Sequence, residues 1–365
     1  MSPRVNAFLK LGREQGCSDI HLAVGQPPML RLYGELSKIK YRDLTPEELD
    51  SLVDEILTSE QRDYFLSGED LDFSYQHEEV GRFRVNLFRK VTGLGASFRI
   101  IAPKIPTIEQ LNLPPRVNEF LLNTQGLILV TGATGTGKST TLAAMINWIN
   151  QNKRLNIITL EDPIEYVHKS QNSLCVQREV GTHVKSFADG LRSALREDPD
   201  VILVGELRDN ETITMAMTAA ETGHLVLGTL HTTSAVKTLD RIIDAVPTEQ
   251  KEMVKTFLSQ HLQGVISQKL VRTLDRRGQK AIIEIMACNS AISHLILNGK
   301  VHQIPSILQT GREEGMQLMD QALLESVKNK EIDPDDAYLH ATDKKQFQRF
   351  VTDPDLLPQI NLAIN

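Results

Sequence analysis

The sequence predicts an α/β protein in which a mainly parallel, doubly wound sheet follows a smaller α+β domain. Three observations lead there. Apolar runs at 127–131, 156–160, 201–205 and 225–230 alternate with helical patterns at 138–150, 186–196, 210–222 and 234–244, the βα rhythm of a parallel sheet. A glycine-rich turn ending in Lys138-Ser139 joins the first run to the first helix. Pro103, Pro106, Pro114 and Pro115 mark a linker over 103–116, which divides this rhythm (117–365) from the differently patterned residues 1–102. A chain of 365 residues has room for two such domains.

Within 1–102, residues 19–22 and 29–32 read as short strands about the turn Gly25-Gln26-Pro27-Pro28. Thr45 suits a helix cap, Pro46 the first helical position, and Glu48 the far side of a capping box. Leu49, Leu52, Val53, Ile56 and Leu57 then share one helical face. Strands are expected at 70–75, 82–88 and 96–101. In the second of these, Phe83, Val85 and Leu87 alternate with Arg82, Arg84 and Asn86, so one face is apolar and the other cationic. From about residue 248 the pattern reads as mostly helical.

Composition removes several classes. Apolar content of 41% and charged content of 24% are ordinary for a globular protein, and a net charge of −7 supplies no general attraction to nucleic acid or an anionic membrane. Cys17, Cys175 and Cys288 lie far apart and lack zinc-ligand spacing; they read as small buried hydrophobes of a reducing compartment. No signal-peptide pattern opens the chain. No apolar stretch reaches the roughly 18 residues of a spanning helix, so membrane association is expected only through partners.

The turn Gly132-Ala133-Thr134-Gly135-Thr136-Gly137-Lys138-Ser139 fits the P-loop pattern in full, with Leu127-Ile128-Leu129-Val130 entering it and a helix beginning Thr140-Thr141-Leu142 leaving it. The residue types explain the chemistry. Gly132, Gly135 and Gly137 let backbone N–H groups approach phosphate oxygens, with Thr134 and Thr136 between them. The helix start adds unsatisfied donors and a favourable dipole. Lys138 is assigned to the β- and γ-phosphates, Ser139 to Mg²⁺, and Thr140 to the α-phosphate side. A dinucleotide site would need no Lys-Ser at the helix start, so ATP/ADP is favoured.

Hydrolysis needs a group on the water and a second hold on the metal. Val201-Ile202-Leu203-Val204 runs into Gly205-Glu206, and the strand at 156–160 runs into Glu161. Carboxylates at such strand ends face the ligand crevice of a parallel sheet. Glu206 is assigned to the Mg²⁺ side and Glu161 to the attacking water as general base. His231 follows the strand at 225–230 and is a candidate γ-phosphate sensor. His224 precedes that strand and is a weaker nucleotide candidate. Arg82, Arg84 and Arg99 could neutralise charge on the γ-phosphoryl group, in trans, although composition alone makes them a solvated strand face.

Together with the P-loop, three segments resemble the secretion and pilus ATPases. They are the acidic box Ile158-Thr159-Leu160-Glu161-Asp162-Pro163-Ile164-Glu165, the run Leu195-Arg196-Glu197-Asp198-Pro199-Asp200-Val201-Ile202-Leu203-Val204-Gly205-Glu206, and the histidine box from Ala219 through His224 to His231-Thr232-Thr233. Ser18-Asp19-Ile20-His21-Leu22 and Gly315-Met316-Gln317-Leu318-Met319-Asp320 resemble, more narrowly, the type IV pilus retraction ATPases. That resemblance implies a PAS-like N-terminal domain, a RecA-like C-terminal domain with a helical end, and a homohexamer. It implies Arg82, Arg84 and Arg99 reaching the nucleotide from the N-terminal domain. It also implies a cytoplasmic motor peripheral to the inner membrane, acting on a pilus platform protein, with a paralogous retraction ATPase as a possible partner and no nucleic acid. One departure stands out. Retraction ATPases typically carry Ala-Ile-Arg-Asn-Leu-Ile-Arg-Glu where this chain has Ala291-Ile292-Ser293-His294-Leu295-Ile296-Leu297-Asn298. Two arginines and a glutamate are absent, which sets an accessory or non-retracting paralogue, a nucleotide-binding scaffold, beside the motor reading. A nucleic-acid translocase is the remaining rival, and the net charge lends it no support.

Overall fold

A computed structural model describes residues 2–32, 34–101 and 104–357. The expected boundary at 102 and 103, and the last part of the expected helical end at 358–365, lie outside the described residues. The chain forms two compact units. The first holds the residues up to Lys104 together with Pro163–Tyr166; the second holds Ile105–Asp162 and the chain from Val167 on.

The first unit runs α1 (Asn6–Glu14), β1 (Asp19–Ala23), β2 (Met29–Leu32), β3 (Glu35–Lys38), α2 (Pro46–Asp54), α3 (Ser59–Leu66), β4 (Leu71–His77), β5 (Gly81–Lys90) and β6 (Gly93–Ile101). Its six strands form an antiparallel sheet in the order β3-β2-β1-β6-β5-β4. The period-two reading of β5 holds. Phe83, Val85 and Leu87 are fully buried and join Leu9, Leu49, Leu52, Val53 and Phe65 of the three helices in one core, while the arginines stand on the other face. Thr45 caps α2 by accepting from the Glu48 N–H at 3.2 Å. The expected reciprocal half of that capping box is replaced: the Glu48 carboxylate accepts from Tyr41 and Arg42, because a guanidinium offers a charged donor where the cap offers a neutral one. The helix also stops at Asp54 rather than 57, and Thr58 begins α3 with a full capping box to Gln61.

The second unit contains α4 (Arg116–Phe120), β7 (Gly126–Thr131), α5 (Lys138–Asn152), β8 (Asn156–Glu161), β9 (Leu174–Glu179), α6 (Phe187–Ala194), β10 (Val201–Val204), α7 (Asn210–Glu221), β11 (Leu225–Leu230) and α8 (Ala235–Asp244). Then come α9 (Lys251–His261), β12 (Leu262–Arg272), β13 (Gln279–Ala287), α10 (Ser290–Leu297), α11 (Ile304–Thr310), α12 (Met319–Lys328) and α13 (Pro334–His340). The seven-stranded sheet has the order β13-β12-β7-β11-β10-β8-β9 and is parallel except between β12 and β13. Its central strands are buried along their whole length, as a parallel sheet covered on both faces demands.

The expectation of a mostly helical chain after 248 is corrected. β12 and β13 form the longest antiparallel pair of this unit, and β12 lies beside the P-loop strand β7. The helices that follow build a separate small core, in which Leu323, Tyr338 and Phe347 pack on Val271 and Ile282 of the hairpin.

Candidate active site

The register of the parallel strands brings the catalytic candidates of the second unit to one edge. Leu160, Val204 and Gly228 are level across β8, β10 and β11, and Thr131 is level with Leu230 across β7 and β11. The chain therefore leaves four strands on the same side of the sheet, with β7 and β11 ending two residues beyond β10, and runs into the P-loop, past Glu161, and into Gly205-Glu206 and His231. The Gly205 N–H donates to the Leu160 carbonyl at 2.7 Å and the Leu207 N–H to the Thr229 carbonyl at 2.9 Å, so the segment carrying Glu206 is stitched to both neighbours.

The P-loop needs its glycines here. Gly132 has φ of +152°, and a Cβ on it would lie 2.5 Å from the Gln268 carbonyl. Gly137 caps α5 in the left-handed region with φ of +86°, a conformation that costs a residue with a Cβ. The Lys138 ammonium donates to the carbonyls of Gly132 and Ala133 at 2.9 and 3.0 Å, which folds it over the loop. Thr136 donates back to Ala133 at 2.8 Å, and Thr134 lies 3.4 Å from His231 Nδ1. Ser139 and Thr140 occupy the first turn of α5.

Glu206 and His231 are brought together: Glu206 Oε1 lies 3.2 Å from His231 Nε2, and Oε2 lies 2.7 Å from the Arg208 guanidinium. Burial pushes the Glu206 carboxyl up, but the Arg208 hydrogen bond and charge, followed by His231, outweigh it and leave the group below its ordinary range. Glu161 accepts at Oε1 from the Thr159 hydroxyl at 2.6 Å and from Gln177 Nε2 at 3.0 Å.

His224 is not brought to the loop. It precedes β11 at the opposite end, where its carbonyl accepts from the Gly126 N–H and its Nδ1 lies 2.8 Å from the Ala219 carbonyl. A strand rises about 3.3 Å per residue, so β11 separates it from His231 by roughly 20 Å. Its local bonds anchor the start of β11 to the end of α7.

Sequence reasoning missed Gln268, on β12. Its amide donates to the Thr136 carbonyl and accepts from the Thr141 hydroxyl at 3.0 Å, tying the P-loop to the first turns of α5 from a nearly fully buried position. Ser267 beside it shares a 2.8 Å hydrogen bond with Thr131. A polar pair inside an apolar strand was the available signal, because buried amides are retained where they are fully hydrogen-bonded.

In the first unit, Arg84 and Arg99 are level across β5 and β6. Arg99 Nε lies 2.8 Å from Asp19 and Arg84 Nε 3.6 Å from Asp72, and with Asn86 and Ser97 these groups line a polar cleft of about 290 Å³. Arg82 donates to Ser74 at 3.1 Å. The arginines thus share a sheet face and are held by local acids and a hydroxyl.

A phosphate-binding loop that opens a helix from a parallel strand, with acids and a histidine on the adjoining strand ends, defines a P-loop ATPase of the RecA-like kind. Residues 67–352 match the type II/IV secretion system protein family, and the chain belongs to that family. It is 49% identical over 310 residues to a twitching motility protein of Neisseria gonorrhoeae, spanning 85% of this chain and 83% of the relative. It is 48% identical over 319 residues to the type IV pilus retraction ATPase PilT of Pseudomonas aeruginosa, spanning 87% and 92%. The type IV pilus ATPase PilU of the same organism is 39% identical over 334 residues, spanning 92% and 87%. The crystal structure of the pilus retraction motor PilT with bound ADP superposes with a TM-score of 0.87 at 45% identity, covering 93% of this chain and 98% of that one. The chain is accordingly an ATPase of the pilus-retraction type, with an N-terminal domain and a RecA-like domain.

Proposed function

We propose that this protein is a Mg²⁺-dependent hexameric motor that hydrolyses ATP to power type IV pilus retraction and twitching motility. The observation that carries the proposal is that β7, β8, β10 and β11 end within two residues of one another on the same side of the sheet, with Glu161, Glu206 and His231 at or just past three of those ends and the Lys138 loop at the fourth. Gly132 to Thr140 hold the phosphates, and Lys138 bridges the β- and γ-groups. Glu161 takes a proton from water, the resulting hydroxide oxygen bonds the γ-phosphorus, and the bond to the ADP oxygen breaks with its electron pair leaving on ADP. His231 contacts the γ-phosphate, while Arg84, Arg99 and Arg82 neutralise charge on it from an N-terminal domain.

The donors fit Mg²⁺. Ser139 offers a hydroxyl and Glu206 a carboxylate, hard oxygens suited to an ion that keeps most of its other positions for water and phosphate. Among the described residues no group of three or more His, Cys, Asp or Glu is placed to cage a metal without the nucleotide. Held there, Mg²⁺ would supply neutralisation of the phosphate charge.

The domain division at the 103–116 linker and a position on the cytoplasmic side of the inner membrane, against a platform protein, belong to the same proposal. Among the described residues no helix is long and apolar enough to cross a membrane. A second reading, an accessory or non-retracting paralogue, is favoured by α10. Ser293, Leu297 and Asn298 replace the charged residues typical of retraction ATPases, and Leu297, 46% exposed, presents an apolar side chain to solvent where charge is usual.

Phosphate release from purified protein with Mg-ATP, sized in parallel by light scattering, tests the proposal. Glu161→Gln is expected to retain ATP binding and to lose turnover by about 10²–10⁴-fold, the contribution of a general base. Wild-type turnover in that variant removes Glu161 as the base. Tight ATP binding without turnover in the wild-type hexamer moves the assignment to the scaffold reading.

A further inference from the structure

Gln177 lies on β9, beside the strand that ends in Glu161; it is level with Thr159, and Glu161 is level with Glu179. Its side chain spans two partners. Oε1 accepts from the backbone N–H of His168 at 2.7 Å, and Nε2 donates to Glu161 Oε1 at 3.0 Å. The first bond fixes the second. A peptide N–H is a donor under all conditions, so the amide oxygen must face it and the NH₂ group must face the carboxylate. The orientation of this amide is therefore dictated by its surroundings.

The Thr159 hydroxyl, fully buried, donates to the same Glu161 oxygen at 2.6 Å. Two donors on one oxygen restrict rotation of the carboxyl group. Both also stabilise its ionised form over its protonated form, since only the former accepts at full strength from both. A carboxylate acting as general base must be ionised at working pH and aimed at the water's proton; the two donors serve both needs, at some cost in basicity.

We propose that Gln177 is a positioning residue for hydrolysis, holding the Glu161 carboxylate in the orientation and charge state that let it take the proton from the attacking water. The proposal rests on the assignment of Glu161 as base. The proton still goes from water to Glu161 and the γ-phosphoryl group from ATP to the hydroxide oxygen, with ADP leaving; Gln177 exchanges neither. Its lever is its donor, and the lever is specific in sign. Removing the donor makes Glu161 easier to protonate, and placing a carboxylate there makes it easier still, because two adjacent carboxyl groups share protons and titrate as a pair.

The test is the pH dependence of kcat for phosphate release by the full chain carrying Gln177→Glu or Gln177→Met, with ATP KM and melting temperature measured beside it. Gln177→Glu is expected to move the acid limb of the profile to higher pH by about 1–2 units. Gln177→Met is expected to lower kcat by about tenfold and to move the limb in the same direction by less than about one unit. KM for ATP stays within about twofold in both, because neither change touches the phosphate loop. A limb that stays in place in both variants overturns the proposal, including when kcat falls equally at every pH, which is what a purely structural role gives. If Gln177→Glu does not fold, the limb of Gln177→Met decides. The two readings fail separately. Turnover in Glu161→Gln sinks the base, whereas an inert Glu161→Gln beside an unmoved limb in Gln177→Glu sinks only the role of Gln177.

Discussion

The strand ends of the second unit and the polar sheet face of the first both carry charged residues suited to ATP hydrolysis, but they are built in opposite ways. Around the P-loop, the groups are interlocked. Lys138 is folded onto two loop carbonyls, Glu206 sits between Arg208 and His231, and Gln268 bolts the loop to α5 from beneath. On the first sheet, Arg84 and Arg99 reach only nearby acids, and their side chains are 38% and 66% exposed. Preorganised groups lower a barrier without reorganising at the moment of reaction. The Arg84–Asp72 pair is exposed on both sides, and such pairs contribute little to stability and exchange partners cheaply, whereas Arg99 reaches from solvent to the buried Asp19. One unit thus holds a fixed phosphate site and the other a set of exposed arginines; under the proposed motor role the first would be permanent and the second would engage and release during the cycle.

The largest effect that could break this contrast is on turnover. Arg84→Ala is expected to lower kcat by roughly a hundredfold or more, in the manner of other arginines that meet a γ-phosphoryl group. The melting temperature should stay within about a degree, since the pair with Asp72 is exposed on both sides. Steady-state phosphate release and a thermal melt on one preparation check both halves. A variant with normal turnover reduces Arg84 to a solvated strand residue.

Gln268→Leu tests the interlocked region and should show the reverse balance. It leaves the Thr136 carbonyl and the Thr141 hydroxyl without their buried partner, at a cost of about 1–3 kcal/mol for an unsatisfied group. Denaturant titration should read that loss, and KM for ATP should rise more than kcat falls. Unchanged stability would mean that β12 supports the loop through Ser267 and backbone packing alone.

This contrast also explains what could be read from the sequence. The P-loop, Glu161, Glu206 and His231 were legible because each stands just past an apolar run, and the geometry of parallel strands carries such positions to one edge. Arg82, Arg84 and Arg99 were legible as a face through period-two alternation. Their partners were not: Asp19 pairs with Arg99 across 80 positions of chain, and no local pattern signals that. β12 and β13 were taken into a helical region because 262–272 mixes glycine, glutamine and lysine with apolar residues, and short apolar runs do not distinguish a buried strand from a buried helix. What makes β12 a strand is its non-local pairing with β7, and Gln268 was hidden with it. His224 stands apart from the loop for a simpler reason. A histidine at each end of a strand reads as a pair in sequence, whereas the strand holds them apart.

The smallest effect concerns an ion pair that joins the interlocked region to solvent. Arg208 is 65% exposed, yet it holds Glu206, whose side chain is 17% exposed. Arg208→Ala is expected to cost less than about 1 kcal/mol near neutral pH, because the guanidinium is largely screened. The sign follows from the carboxyl. Burial raises it, and Arg208 and then His231 lower it further, so in the folded protein it titrates below its ordinary value of 4.5. A lowered carboxyl contributes stability that is fully present above the unfolded value and is lost as pH falls through the folded one. The stability difference between wild type and Arg208→Ala should therefore be flat from about pH 7 to about pH 5 and shrink as pH is lowered toward about 3. Urea titrations of both proteins at those three values would show it. A difference that persists undiminished at the lowest pH would assign the role of Arg208 to packing of its aliphatic stem rather than to its charge, and would remove the electrostatic link between solvent and the Glu206–His231 pair.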